Sequence, residues 1–326
     1  MKRTTLFLTA IVFLFNCSVA GAQKSVVDKI NYYGTFDHWS LREVKESALL
    51  GGQTKYLYEF YGNPQDTLRK KKPVFVAPEG YYWRTNNVYA NVSGIEKVNN
   101  TDYPEPRNGG SCIRIETHIE YVKVMGMFDM EVTCQGALMV GALPEPIRDT
   151  KDPMSKPLYG IPFEGHPTAL VFDYKCDVGH EVIRGTGFSK LKAMGRKDYA
   201  VAQVLLQKRW EDEEGNVHAL RCGTAGHIFK ESRKDWVNGY RMDIRYGDIS
   251  NTPDYDPACM QLLNGTSMDF HALNSKGKNV KVIEEGWAQP GEEPNWLIVK
   301  FITSNDLPFY GGVGNTLWLD NVKLIM

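Results

Sequence analysis

The sequence predicts an all-β sandwich. Apolar and polar residues alternate at period two in several segments, and clusters of Gly, Pro, Asn and Asp separate those segments. No convincing amphipathic helix interrupts the middle of the chain. An aromatic content of 12% with 42% hydrophobic residues suits a β-rich domain of this size.

The elements follow in order. Lys2 and Arg3, the apolar run Leu6 to Phe15, and Ala20-Gly21-Ala22 have the three-part layout of a secretory signal over residues 1–22. The apolar run is too short to span a bilayer, and no transmembrane segment is expected after cleavage. The mature chain is therefore expected to be exported, to the periplasm or the cell surface. Lipidation at Cys17 is the lesser alternative, because Asn16 stands where a small residue is wanted. Residues 23–35 form a short lead-in and 36–326 a single domain.

Leu41 to Leu50 is compatible with two or three helical turns, as is Glu231 to Gly239. Long decorated loops are expected between Gly51 and Asn108. "CIRIETHIEYVKV" then reads as one strand with Ile113, Ile115, Thr117, Ile119 and Tyr121 on its buried face. "TALVFDYKC" alternates in the same way, and "YAVAQVLLQKRW" suits a strand buried on both sides. "YRMDIRY", "NWLIVKFITSN" and "TLWLDNVKLIM" complete the set, with "YGGVGNTLW" a tight turn into the last strand.

Charge excludes one class of partner. Loss of residues 1–22, where Lys2 and Arg3 are the only charged side chains, takes the formal net charge from −1 to −3. Nucleic-acid binders need a strong basic excess, so no nucleic acid is expected. Arg69-Lys70-Lys71-Lys72 is the one cationic block and reads as a solvated loop. Five cysteines remain after cleavage, an odd number that leaves at least one thiol free.

Motifs for zinc hydrolysis, serine hydrolysis, phosphate cradles and EF-hands are absent. Glycoside hydrolysis needs two carboxylates flanking the scissile bond, and Glu116, Glu164 and Asp173 lie on or beside expected strands. Aromatic side chains offer a non-catalytic route to a sugar, because a ring face packs against pyranose C–H groups. "GYYWRTNN" supplies Tyr81, Tyr82 and Trp83 beside Arg84, Asn86 and Asn87, which can read hydroxyls. If the segment is extended, Tyr82 points opposite to Tyr81 and Trp83, so some ring packs inward. Trp287 and Trp296, around a Pro- and Gly-rich loop, are a second aromatic pair.

Three stretches carry a resemblance to a known family. "TFDHW" opens the domain, "YGIPFEGHPTALVFDYKC" lies in the middle, and "FITSNDLPFYGGVGNTLWLDNVKLIM" closes it. Together they resemble the putative carbohydrate metabolism domain (PCMD) family of Bacteroidetes, over Phe36 to Met326. The resemblance implies a jelly-roll β-sandwich similar to carbohydrate-binding modules, in an exported protein that handles a polysaccharide or oligosaccharide. Asp37 and Asp320 occupy places loosely similar to those that hold structural calcium in such modules, so calcium is the one cofactor considered. The function expected is glycan binding or glycan handling without catalysis. A glycoside hydrolase or lyase is the alternative, and a surface structural or adhesion protein the second alternative.

Overall fold

Two packed sheets carry the architecture of the computed structural model, which describes residues 25–60, 79–124, 128–264 and 269–326. The expected signal at residues 1–22 and the run Arg69–Lys72 lie outside the described residues. The first sheet has the order Arg233–Asp243, Ala169–Asp177, Thr316–Ile325, Gly110–Glu116, Asp102–Arg107, antiparallel throughout. The second centres on Trp296–Ile302, Ala200–Glu211 and Val217–Phe229. From there it continues through Asn279–Trp287, His271–Leu273, Leu158–Tyr159 and Ala137–Ala142. Ala137–Ala142 pairs back onto Trp296–Ile302, so the hydrogen-bonded path closes into a ring.

Strand parity decides what each face holds. Ala202, Val204 and Leu206 point at Leu170, Phe172, Leu317 and Leu319 of the first sheet and form the main core. Leu205 points the other way, into the ring, where it meets Met139, Tyr159, Phe270 and Ile298. The strand is thus buried on both sides, as its apolar run predicts. The all-β sandwich is the fold of the chain.

Several expectations are corrected. Leu41 to Leu50 is not helical beyond a 3-10 turn at Ala48–Leu50, because Trp39–Lys45 is a strand paired with Thr54–Phe60. Its buried positions are Ser40, Arg42 and Val44, and Arg42 is held by Glu59 and Glu145 from distant parts of the chain. Glu231 to Gly239 belongs to the strand Arg233–Asp243, whose pairing with Ala169–Asp177 overrides local helix preference. The stretch expected as loops holds the strands Thr54–Phe60, Trp83–Thr85, Val88–Val92, Ile95–Asn99 and Asp102–Arg107. "CIRIETHIEYVKV" breaks at Thr117: Gly110–Glu116 joins the sandwich, while His118–Val124 forms a hairpin with Phe128–Cys134.

The lead-in segment is more than a lead-in. Residues 25–33 are helical and bury Val27 and Ile30, spaced i and i+3, against the main core. Gly34 ends this helix, where a Cβ would lie 2.1 Å from the Val322 carbonyl oxygen, so only glycine fits. Cys112, Cys134, Cys176, Cys222 and Cys259 are all free thiols.

Trp83 is 1% exposed, donates from Nε1 to the Ile30 carbonyl at 2.9 Å and meets Phe36 edge-on at 5.8 Å. Truncation of a fully buried indole removes both burial and packing, so Trp83→Ala is expected to cost about 3–5 kcal/mol. Urea denaturation should show a correspondingly lowered midpoint, and a midpoint equal to wild type would contradict the core placement.

Candidate functional site: a tryptophan-lined cleft at the end of the ring

The sequence places its first sugar platform at Tyr81 to Asn87, and the structure corrects this. Trp83–Thr85 is a strand paired with Leu138–Val140, which carries Trp83 into the core and covers Arg84. The Arg84 Nη1 donates to the Trp83 carbonyl at 2.5 Å, and burial, opposed by Glu59, holds its guanidinium down to about 10. Tyr81 tilts against Tyr33 at 4.8 Å and Tyr82 packs on the core. Asn86 donates from Nδ2 to the Gln135 carbonyl at 2.7 Å. Asn87 is buried, donating to the Tyr58 and Asp102 carbonyls and accepting from two backbone amides. Trp83, Arg84 and Asn87 are buried and brace the chain, whereas Tyr81, Tyr82 and Asn86 are half-buried.

The second aromatic pair fares differently. Trp296 lies opposite Gln207, Gln207 opposite Arg221, and Arg221 opposite Trp287. Cross-strand partners share a face, so the two indoles stand at the ends of one row, about 14 Å apart at ordinary strand spacing. The Arg221 guanidinium lies 5.8 Å from the Trp287 ring. Trp296 donates from Nε1 to the Tyr159 carbonyl at 3.1 Å, and the Arg209 guanidinium covers its ring at 4.5 Å.

Trp296 opens onto a cleft of about 590 Å³, shared with Arg209, Trp210, Glu211, Asn295 and Glu164. Trp210 is 39% exposed. It is backed by His218, whose ring stacks on the indole at 5.5 Å and 15°. His218 is itself clamped, with Nε2 3.0 Å from Asp212 and Nδ1 2.7 Å from Glu285. The hydrogen bond to Asp212, then that to Glu285, raises the imidazole above its ordinary value. Hydrogen bonds from Asn216 and His218 hold Asp212 well below the usual carboxylate range. The exposed indole therefore rests on a fixed cation-forming base.

Arg209 is the electrostatic feature of the cleft. Its backbone N–H donates to Asn295 Oδ1 at 2.7 Å, and Asn295 returns a bond to the Arg209 carbonyl at 2.8 Å. Nε donates to Gln207 Oε1 at 2.7 Å, but Nη1 and Nη2 are covered and have no hydrogen-bond partner among the described residues. Burial, opposed by Glu284, holds the guanidinium down to about 9. Glu211 is anchored by the Ser275 amide at 2.7 Å and hydroxyl at 2.8 Å. Sequence reasoning found Trp296 but missed Trp210 and Arg209. The signal was present in "QKRWE", where polar residues continue the alternation of a buried strand.

The other candidate groups serve structure. Asp37 accepts from the Ser111 amide at 2.7 Å, whereas Asp320 is ion-paired with Arg107 and accepts from the Asn321 amide at 2.7 Å. Calcium needs six to eight oxygens. A guanidinium already neutralises Asp320, and no cluster of three or more metal-ligating side chains occurs among the described residues. The two carboxylates do not fit a calcium site. Glu116 pairs with Arg114. Burial pushes Asp173 up, but hydrogen bonds from Asn321, Gly239 and Arg107 outweigh it and hold the carboxyl low. Of the three carboxylates considered from sequence, Glu164 alone lines the cleft.

No family model and no curated protein matches the chain, so the PCMD resemblance rests on its own residues. Among solved structures, the chain is similar to a "putative glycoside hydrolase" from Bacteroides thetaiotaomicron VPI-5482, at 17% identity and a TM-score of 0.45, covering 87% of this chain and 70% of that one. A second "putative glycoside hydrolase", from Bacteroides vulgatus ATCC 8482, gives 16% identity, a TM-score of 0.42, and 87% and 94% coverage. Likeness this loose establishes neither a shared architecture nor a shared activity.

The clamp on His218 has a measurable consequence. By NMR titration its imidazole should lose its proton above the ordinary value of about 6.5, and Asp212→Asn should lower that value. Because the folded-state value is the raised one, the stabilisation is complete below the unfolded value and is lost as pH rises through the folded one. A titration at or below the ordinary value would show that the clamp does not form.

Proposed function

We propose that the chain is an exported glycan-binding protein whose sugar site is the Trp210–Trp296 cleft. The observation that carries this reading is the pairing of two indoles with polar groups that fit hydroxyls. Ring faces suit the C–H faces of a pyranose. Arg209, Asn295 and Glu211 are placed to donate to and accept from its hydroxyls. A modest turn of the Arg209 guanidinium would bring Nη1 and Nη2 to ligand oxygens, giving two unsatisfied donors their acceptors. The N-terminal signal supports export, to the periplasm or the cell surface.

The site is open and a third of its lining residues carry charged or amide side chains, so affinity is expected in the range of about millimolar to micromolar. The rigid seat of Trp210 on His218 favours binding, because little side-chain freedom is lost.

A second reading has its own observation. Glu164 and Glu211 both line the cleft, and a glycoside hydrolase needs two carboxylates about the bond that is cut. It also needs one carboxyl with a raised value. Binding without catalysis is the favoured reading on the strength of the two indoles and the polar groups that stand beside them in the cleft.

A polysaccharide panel titrated against the secreted chain tests both. Trp210→Ala, at an exposed position, should leave folding intact and weaken binding about tenfold, the equivalent of a lost ring–sugar contact. Full binding in both Trp210→Ala and Trp296→Ala would remove the cleft from consideration. Release of reducing ends, abolished by Glu164→Gln or Glu211→Gln, would establish the hydrolase instead.

A further inference from the structure

Lys300 is a buried cation that neither the fold nor the cleft uses. It lies on Trp296–Ile302 between Gln203 and Met139 of the neighbouring strands, on the inner face of the ring, and is 7% exposed. It lies four positions along the strand from Trp296, about 13 Å away. Its ammonium has no hydrogen bond or ion pair among the described residues. What it has instead are two ring faces, Phe270 at 5.2 Å and Tyr159 at 5.6 Å from the centroids. Burial holds the ammonium down to about 8.

Two cavities meet at this side chain. One, of about 210 Å³, runs under the loop that carries Pro153, Met154 and Tyr159. The other, of about 160 Å³, is lined by Gln203, Gln261, Phe270, Ser304 and Asn305, and Lys300 is the one charged residue among its described lining. Gln203 donates from Nε2 to the Cys259 carbonyl at 2.6 Å, which leaves Oε1 buried without a donor. A cation without an anion and an acceptor without a donor thus flank the same space. Buried charges and polar groups left in this state are costly and are normally satisfied.

We propose that this cavity binds a hydroxy-carboxylate, either a uronic-acid residue of a glycan or a free hydroxy acid. The carboxylate pairs with the Lys300 ammonium, a hydroxyl donates to Gln203 Oε1, and the C–H groups lie against Phe270 and Tyr159. The titratable groups facing the ammonium leave its charge uncompensated. Burial pushes the Cys259 thiol up to about 12 and raises the Tyr159 phenol, so both are neutral. Across the larger cavity Asp149 is already tied to Lys156 at 2.8 Å, and burial pushes Cys134 up to about 12. The inference goes beyond the cleft reading and does not depend on it.

The test is calorimetric titration of the secreted chain with sodium glucuronate, lactate, acetate and glucose. Glucuronate should bind while glucose does not. Lys300→Met keeps the apolar stem and removes a buried charge, so it should fold and bind at least about tenfold more weakly, the scale of a lost charge-assisted bond. Wild-type affinity should fall as pH rises past 8, where the ammonium loses its proton while the carboxylate stays ionised. Lactate binding as tightly as glucuronate supports the site with a free hydroxy acid as ligand, whereas preference for glucuronate supports a glycan source. Acetate matching both, glucose matching glucuronate, or Lys300→Met binding like wild type would overturn the proposal, as would no binding of any carboxylate. Trp210→Ala should not alter glucuronate binding, so failure here and failure of the cleft reading are separately visible.

Discussion

The ring depends on the ion pair between Arg221 and Glu284, which are 0% and 1% exposed. Arg221 donates to Glu284 from Nε at 2.7 Å and from Nη2 at 2.5 Å, a two-pronged contact between the parallel strands Val217–Phe229 and Asn279–Trp287. Gln207 adds an amide donor from the next strand, and the Leu263 amide donates at 2.7 Å. Arg221 Nη1 also reaches the Met260 carbonyl and the Thr224 hydroxyl, each at 3.3 Å. Removing two charges from water is costly and is offset only when the remaining donors and acceptors are satisfied. Here they are, by three strands and the segment that crosses the ring. Any shift in register would leave a charge buried alone, so the pair fixes how Trp296, Gln207, Arg221 and Trp287 line up.

That same pair explains why the sequence is legible in its sheets and opaque in its site. Period-two alternation or a continuous apolar run identified Ala169–Asp177, Ala200–Glu211, Trp296–Ile302 and Thr316–Ile325, because their core faces are apolar and adjacent turns are rich in glycine and asparagine. It failed where a polar residue occupies a buried position. Arg42 turned a strand into an apparent helix, since its partners Glu59 and Glu145 cannot be known from local sequence. Gln203, Gln207, Arg209 and Lys300 carry no local signal of a site within their largely apolar strands, yet all four point into the ring or its mouth. Trp83 misled in the opposite direction. Its neighbours Gly80, Asn86 and Asn87 suggest an exposed loop, but Asn87 is spent on backbone groups and the indole on the helix at residues 25–33. Trp287 and Trp296 were singled out because their flanking Pro and Gly mark a chain reversal, and of the two only Trp296 lines the cleft.

Polar residues on the inner face fall into two sets. Arg221, Glu284 and Gln207 satisfy one another and rigidify the ring. Arg209, Gln203 and Lys300 each keep at least one group without a partner among the described residues, and each of these lines a cavity. Native structures leave few buried groups unsatisfied, and the exceptions call for an account. The two sets are not scattered. The satisfied set occupies the middle of the long strands, while the unsatisfied groups lie on either side of it.

This arrangement gives the unsatisfied groups fixed positions. Arg209 is held through its backbone by Asn295 and through Nε by Gln207, which is itself locked to Glu284. Lys300 is held by the strands on both sides and by two aromatic faces. Affinity for a small polar ligand is limited by the freedom lost on binding, so groups already immobilised lose the least. On the proposed reading, the central ion pair contributes to binding without touching a ligand, by fixing the strands on which the cleft and the cavity are built. A chain with a looser ring would present the same residues with more freedom to lose, so the network at Arg221 bears on the proposed function as well as on the fold.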